Sequence, residues 1–277
     1  GLCLVGSEMC IRDRLKDFGL NIYRPQRPGS FWVRTTGLGS YREVGRACHL
    51  VTTNESRIMI DVGVNIANDS DPMPYFTAPE ALPIDKIDAV ILTHAHLDHA
   101  GMLPVLFKYG YTGPVYCTPP TRDLMLLLQT DYLKIGGAEG KRSPYDMEDI
   151  RTCMRHVIDL DWGQTVDIAP DMKLTFHNSG HIIGSSALHL HIGNGKHNLV
   201  FSGDQKYEKS WLFDAASSRF PRCETLVLES TYGGDGDFQP SREEANQELQ
   251  DIVSRTIKRG GKMICPVFAV GRSQEVM

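Results

Sequence analysis

The segment His94-Ala95-His96-Leu97-Asp98-His99 sets four potential metal ligands in six positions. It follows the strand-like apolar run Ala89-Val90-Ile91-Leu92 and precedes the helix-like run Met102-Leu103-Pro104-Val105-Leu106-Phe107. A strand that ends in a ligand-bearing loop and turns into a helix is a metal-site geometry. Imidazoles at 94 and 96 alternate as strand side chains do and can converge on one cation, while Asp98 and His99, at the turn into the helix, point to a second position close by. Crowded into one loop without a cation, these groups would repel or desolvate one another. Two zinc ions side by side fit this mixture of imidazole and carboxylate.

Two metals need more donors than one loop offers, and three further strand ends supply them. Asp61 follows Arg57-Ile58-Met59-Ile60, His181 sits in the Gly-flanked Asn178-Ser179-Gly180-His181-Ile182-Ile183-Gly184-Ser185, and Asp204 ends Leu199-Val200-Phe201-Ser202-Gly203. Rigid elements present chemistry on loops in this way. The scattered His49, His156, His189, His191 and His197 read as structural. His189 and His191 alternate on one polar face of a strand.

The series Asp61, His94-x-His96-x-Asp98-His99, His181, Asp204 resembles the metallo-β-lactamase superfamily in the order that family uses. The resemblance implies His94, His96 and His181 on the first zinc, Asp98 and His99 on the second, Asp204 bridging them, and Asp61 orienting the ligand loop by hydrogen bonding. The run Glu224-Thr225-Leu226-Val227-Leu228-Glu229-Ser230-Thr231-Tyr232-Gly233 is similar to the first signature motif of the nucleic-acid-processing β-CASP branch, with Glu229 as its acid. Residues 260–275 resemble the start of the β-CASP insertion. Residues 106–117 and 121–125 are similar to archaeal homologues of the cleavage and polyadenylation specificity factor nuclease. The likeness runs from about residue 31 to residue 277.

What the resemblance implies is an α/β fold: the four-layered αββα sandwich over residues 15–230, then the beginning of a β-CASP domain over 231–277. The implied function is a zinc-dependent ribonuclease, endonuclease or 5′-to-3′ exonuclease, in RNA 3′-end formation or transcription termination. RNA is the implied substrate, RNA polymerase or processing-complex subunits and a second copy of the chain are candidate partners, and two Zn2+ are the cofactor. Asp98, Asp204 and Glu229 are the expected catalytic residues. Two metals about 3.5–4 Å apart can activate water and clamp both oxygens of an in-line displacement at phosphorus, so no side-chain nucleophile is required. No GxSxG elbow and no Walker loop occurs. A small-molecule thioesterase or lactonase, and a scaffold without activity, are the alternative readings. The family's last zinc-ligating His and its proton-donating His are expected after residue 277. On that basis the 277-residue chain is expected to be an internal fragment that holds about one zinc tightly and cleaves RNA poorly.

Residues 1–14 match nothing in the family and read as a translated sequencing-adapter artefact or a flexible leader, outside fold reasoning. Its apolar stretch at 2–5 is too short to span a membrane. Seven cysteines, odd in number and without a CxxC pair, read as buried thiols in a reducing, cytoplasmic compartment. The formal net charge of -5 runs against a basic nucleic-acid binder, but bound zinc adds positive charge where phosphate must sit.

Strands are predicted at 32–36, 47–53, 57–61, 89–93, 115–117, 164–168, 173–177, 187–192, 199–202, 225–229 and 263–267. Thr118 caps one predicted helix, with Leu124, Leu127, Leu128 and Leu133 as its core stripe. Ser143-Pro144 opens a second, and the capping box Ser241-Arg242-Glu243-Glu244 a third that reaches about residue 259. Residues 65–83, rich in proline, read as a polar surface excursion near the site.

Overall fold

Apolar residues on both faces of successive short strands call for a sheet covered on both sides. The computed structural model, which describes residues 30–277 and the backbone of strand β1 (Gly19–Leu20), has one. Residues 1–14 and their expected leader lie outside the described residues. A seven-stranded sheet runs in chain order through β1, β2 (Arg34–Gly39), β3 (Cys48–Thr52), β4 (Arg57–Ile60), β5 (Ala89–Ile91), β6 (Val115–Cys117) and β7 (Val157–Asp159). A five-stranded sheet holds β8 (Thr165–Ala169), β9 (Met172–Asn178), β10 (Ser186–Ile192), β11 (His197–Phe201) and β12 (Thr225–Val227), in the order β12-β11-β10-β9-β8.

The strand period of two sorts neighbouring residues into two cores. Leu50, Met59 and Val90 face the helices, whereas Val51, Ile58, Ile60, Ala89 and Ile91 face the second sheet and pack with Leu174, Leu188, Leu190 and Phe201. Helices α1 (Leu97–Ala100), α2 (Leu103–Lys108), α3 (Pro119–Ala138) and α4 (Met147–Arg155) follow. The chain divides into two compact units, residues 1–229 and 230–277. The second contains α5 (Arg242–Lys258), opened by the predicted Ser241/Glu244 capping box, and α6 (Arg272–Val276).

Several local expectations are corrected. Residues 263–267 form no strand, because no partner strand stands beside them in their unit and isolated strands do not persist. Helix α4 starts at Met147 behind an Asp146/Asp149 capping box, rather than at Ser143-Pro144. Thr118 precedes α3, but its hydroxyl bonds Gly184 O at 2.6 Å instead of capping the helix. The buried stripe of α3 is Thr121, Met125 and Gln129; Leu127 is exposed, and Leu124, Leu128 and Leu133 only flank the core. The 65–83 excursion is no mere polar surface, since Phe76 and Ala81 enter the first core. Cys48, Cys117 and Cys153 are buried free thiols, whereas Cys265 is exposed. His189 lies buried beneath Phe220, with His177 and His191 beside it on the outer face of β9 and β10.

Candidate metal centre

Parallel strands deliver their C-terminal ends to one edge, which is where open α/β sheets place ligands. Strands β4 and β5 are parallel, so Asp61 and Thr93-His94 emerge side by side, with Asp61 N bonded to Ile91 O at 2.9 Å. Ser186 N, at the start of β10, donates to Thr93 O at 2.8 Å and joins the two sheets at the same spot. His181 therefore arrives from the β9–β10 connection and Asp204 from the end of β11.

The structure brings six of the predicted residues into two abutting groups. His94, His96, His181 and Asp204 form one, and Asp98, His99 and Asp204 the other, each with donor atoms within 4.8 Å of one another. His94 Nε2 and His181 Nε2 lie 3.1 and 3.2 Å from His96 Nδ1. Asp204 belongs to both groups: its Oδ2 is 3.5 Å from His181 Nε2 and 3.9 Å from His94 Nε2, and its Oδ1 is 3.2 Å from His99 Nε2. Asp98 Oδ2 stands 3.8 Å from His99 Nε2. His94 and His99 are buried and form the floor, while Asp98, Asp204 and His181 are partly open to solvent.

Asp61 fixes the tautomers. Its Oδ1 accepts from Thr93 N at 2.8 Å, and its Oδ2 accepts from Thr93 Oγ1 and His99 Nδ1, each also at 2.8 Å. With its proton given to Asp61, Thr93 Oγ1 accepts from His94 Nδ1 at 3.0 Å. Both rings thus turn Nε2 into the cluster, the nitrogen a cation can use. Asp61 itself sits at φ 57°, a left-handed conformation that Asp tolerates better than most residues.

Burial pushes His94 well below the usual imidazole range, helped by the His99, His181 and His96 charges and opposed by Asp204. For His99, burial works the same way, but the Asp204, Asp61 and Asp98 carboxylates outweigh it and hold it well above that range. Burial would raise Asp204, yet the charge and hydrogen bond of His99, with His94 and His181, hold it well below the carboxylate range. A pocket that draws a proton onto a buried imidazole favours positive charge, and a cation that displaced that proton would meet imidazole nitrogens beside carboxylates, a zinc-type donor set. The residues present therefore fit a metal pair.

The sequence reading missed the supports around these ligands. Gly63 lies against Asp98 O, and the bonds Val62 N to His99 O (2.6 Å), Val64 N to Leu97 O (2.9 Å) and Ala47 N to Asp98 O (2.8 Å) clamp α1. Ser179 Oγ donates to Asp204 O at 2.9 Å, and Ser185 Oγ accepts from His181 N at 3.1 Å. Glu229 stands outside both donor groups. Its Oε1 accepts from Gln205 N at 3.0 Å, next to Asp204. The signal available was adjacency: Thr93, Gly63, Ser179 and Gln205 each lie within two residues of a site residue.

Asp61→Asn offers one acceptor oxygen where three donors converge and is expected to weaken metal binding by roughly 10–100-fold. Competition against a chromophoric chelator measures it. Unchanged affinity would show that Asp61 does not orient the ligands.

A family model described as metallo-beta-lactamase superfamily domain matches residues 50–220. The transcription termination factor FttA of Methanosarcina mazei is 55% identical over 266 residues, covering 96% of this chain and 42% of its own length. FttA of Thermococcus kodakarensis is 54% identical over 273 residues, with coverage of 96% and 42%. The chain spans less than half of the curated relatives it matches. A solved structure of a protein of unknown function from Enterococcus faecalis V583 aligns with a TM-score of 0.54 and 15% identity, over 83% of this chain and 58% of that one. That likeness concerns the fold alone.

Proposed function

The chain belongs to the metallo-β-lactamase superfamily, and on that premise we propose that it is the catalytic region of a zinc-dependent ribonuclease acting in transcription termination or RNA 3′-end processing. It would hydrolyse RNA phosphodiester bonds as an endonuclease, a 5′-to-3′ exonuclease or both. The observation that carries this reading is the pair of donor groups joined through Asp204, in a chain half identical to proteins named as termination factors. Residues 15–230 are the proposed metallo-β-lactamase domain and 231–277 the beginning of a β-CASP domain; the division of the chain at residues 229 and 230 supports that boundary.

When bound, two zinc ions supply Lewis acidity, lowering the pKa of water towards about 7 and offsetting charge on the phosphoryl oxygens. His94, His96, His181 and Asp204 would hold one ion, and Asp98, His99 and Asp204 the other. Asp98 and Asp204 orient the attacking water, since they are the partly exposed carboxylates of the cluster. Glu229 fixes the backbone that carries Asp204. The Ser185 hydroxyl is buried and engaged by His181 N and Ile182 N, so it is not free to attack. RNA polymerase or processing-complex subunits and a second copy of the chain are partners this reading admits. A cytoplasmic setting fits the free thiols. No helix among the described residues is long and apolar enough to cross a membrane.

In the full-length protein, Asp98→Ala is expected to abolish RNA cleavage while leaving RNA binding largely intact, because surface contacts position the strand and the metals activate the water. Single-turnover cleavage and an equilibrium binding assay separate the two. Cleavage near the wild-type rate would sink the two-metal reading.

A further inference from the structure

Helix α3 turns a line of three residues inward, and two of them are polar. Thr121, Met125 and Gln129 lie at i, i+4 and i+8 and are 1%, 0% and 0% exposed, while Leu126 and Leu127 of the same helix stand in solvent. Burying a hydroxyl or an amide costs free energy that an apolar side chain does not, unless the group finds a partner. The partners of these two lie in the loops that carry the candidate ligands.

At the N-terminal end of α3 the partner is the carbonyl of Gly184. Thr118 Oγ1 donates to Gly184 O at 2.6 Å and Thr121 Oγ1 at 3.1 Å, and the two hydroxyls are 2.9 Å apart. Ser186 Oγ reaches the same oxygen at 3.3 Å while it accepts from Trp162 Nε1 at 3.0 Å. Gly184 permits this approach: its φ is 76°, and a Cβ there would meet Thr118 Oγ1 at 2.7 Å and Pro120 Cβ at 2.8 Å. The carbonyl belongs to the turn that holds His181. Ser185, the next residue, accepts through Oγ from His181 N and Ile182 N, both at 3.1 Å, which ties that turn into one piece. Further along α3, Gln129 Nε2 donates at 2.8 Å to the carbonyl of Ala100, the last residue of the helix that carries Asp98 and His99. The backbone donor that would continue the helical ladder to this oxygen is missing, because position 104 is Pro. Gln129 Oε1 is buried without a hydrogen-bond partner among the described residues, so the bond to the ligand helix is what the amide contributes.

We propose that α3 braces the metal centre, with Thr118 and Thr121 as positioning residues for His181 and Gln129 as the positioning residue for Asp98 and His99. The inference rests on the two-metal reading and adds to it what fixes the spacing of the two donor groups. From residue 121 to residue 129 an α-helix rises about 12 Å, a stiff link between two loops far apart in sequence. Each grip acts on one group, since His181 belongs to the first and Asp98 and His99 to the second. A ligand whose backbone can shift holds a cation less tightly, which is why partners outside the ligand shell affect metal affinity.

The test is zinc binding to the full-length protein by competition with a chromophoric chelator, with the two binding steps told apart by His96→Ala and His99→Ala, each of which disables one donor group. Thr118→Val with Thr121→Val removes both hydroxyls at nearly constant shape and is expected to weaken the step that depends on His96 by roughly 10–100-fold, leaving the other unchanged. Gln129→Met should do the reverse. Thr118→Ser with Thr121→Ser keeps the hydroxyls and should retain wild-type affinity for both ions. If the valine pair does not fold, Thr121→Val alone carries the same contrast. A general loosening of the fold would weaken both steps together, so equal losses overturn the brace, as does unchanged affinity in the valine and methionine variants. Either outcome leaves the ribonuclease reading standing where the unsubstituted protein binds two ions and cleaves RNA. An unsubstituted protein that binds no zinc and cleaves no RNA overturns the brace and that reading together.

Discussion

Asp204→Ala is expected to strip most of the metal from the centre, more than any other single substitution in the cluster, and to lower RNA cleavage by at least about 1,000-fold. The reason is its position. His96 or His99 serves one donor group, but Asp204 presents Oδ2 to His181 and His94 and Oδ1 to His99. On the two-metal reading, its removal would take one ligand from each donor group at once, together with the negative charge the groups share. It also removes a partner that raises His99, so the nitrogen facing the second ion changes its proton affinity as well. Asp204→Asn keeps the shape and one acceptor oxygen, and should fall between alanine and wild type. Elemental analysis after gel filtration, paired with cleavage of a labelled RNA, reads both effects. Two ions per chain retained by the alanine variant would mean that Asp204 does not join the sites.

The candidate ligands were legible in the sequence through their order and context: Asp61, the 94–99 cluster and Asp204 follow apolar strand-like runs, and His181 sits in a Gly-flanked loop between two such runs. Their supports were not. Thr93 looks like an ordinary residue before His94 until Asp61 arrives from β4, 32 residues earlier, to accept from it twice. Thr118 reads as a helix cap, yet Gly184 lies within reach of its hydroxyl from 66 residues away. Both depend on which loops the sheets bring to one edge, a matter of tertiary topology. In α3 the run Leu124-Met125-Leu126-Leu127-Leu128 is apolar at every position and so carries no phase. Contact with Ala100 O, 2.8 Å from Gln129 Nε2, shows which face turned inward. Residues 263–267 had the composition of a strand, but composition cannot supply a neighbour to pair with.

Gly63→Ala is expected to destabilise the protein by about 3 kcal/mol or more and to weaken metal binding, although Gly63 belongs to neither donor group. A Cβ at this position would overlap Asp98 O and come within 2.8 Å of Ala47 N. Neither is the end of a flexible side chain that can swing aside. Both belong to the clamp in which Ala47 N donates to Asp98 O and Val62 N to His99 O, so relief requires α1 to move away from β4. Asp98 and His99 would move with it, and the opposed placement of Asp204 and Asp61 around His99 would be lost. The comparison that isolates this cause is Gly136→Ala with Gly137→Ala in α3, where a Cβ meets nothing within 4 Å. There a helical alanine should stabilise by about 0.5–1 kcal/mol per site. Thermal unfolding and metal content of the two variants should therefore change in opposite directions and to different extents: a large fall with metal loss at residue 63, a small rise with full metal at 136 and 137. If Gly63→Ala unfolded at the wild-type temperature with both ions in place, the close approach of the β4 loop to α1 would not be what holds the ligand helix.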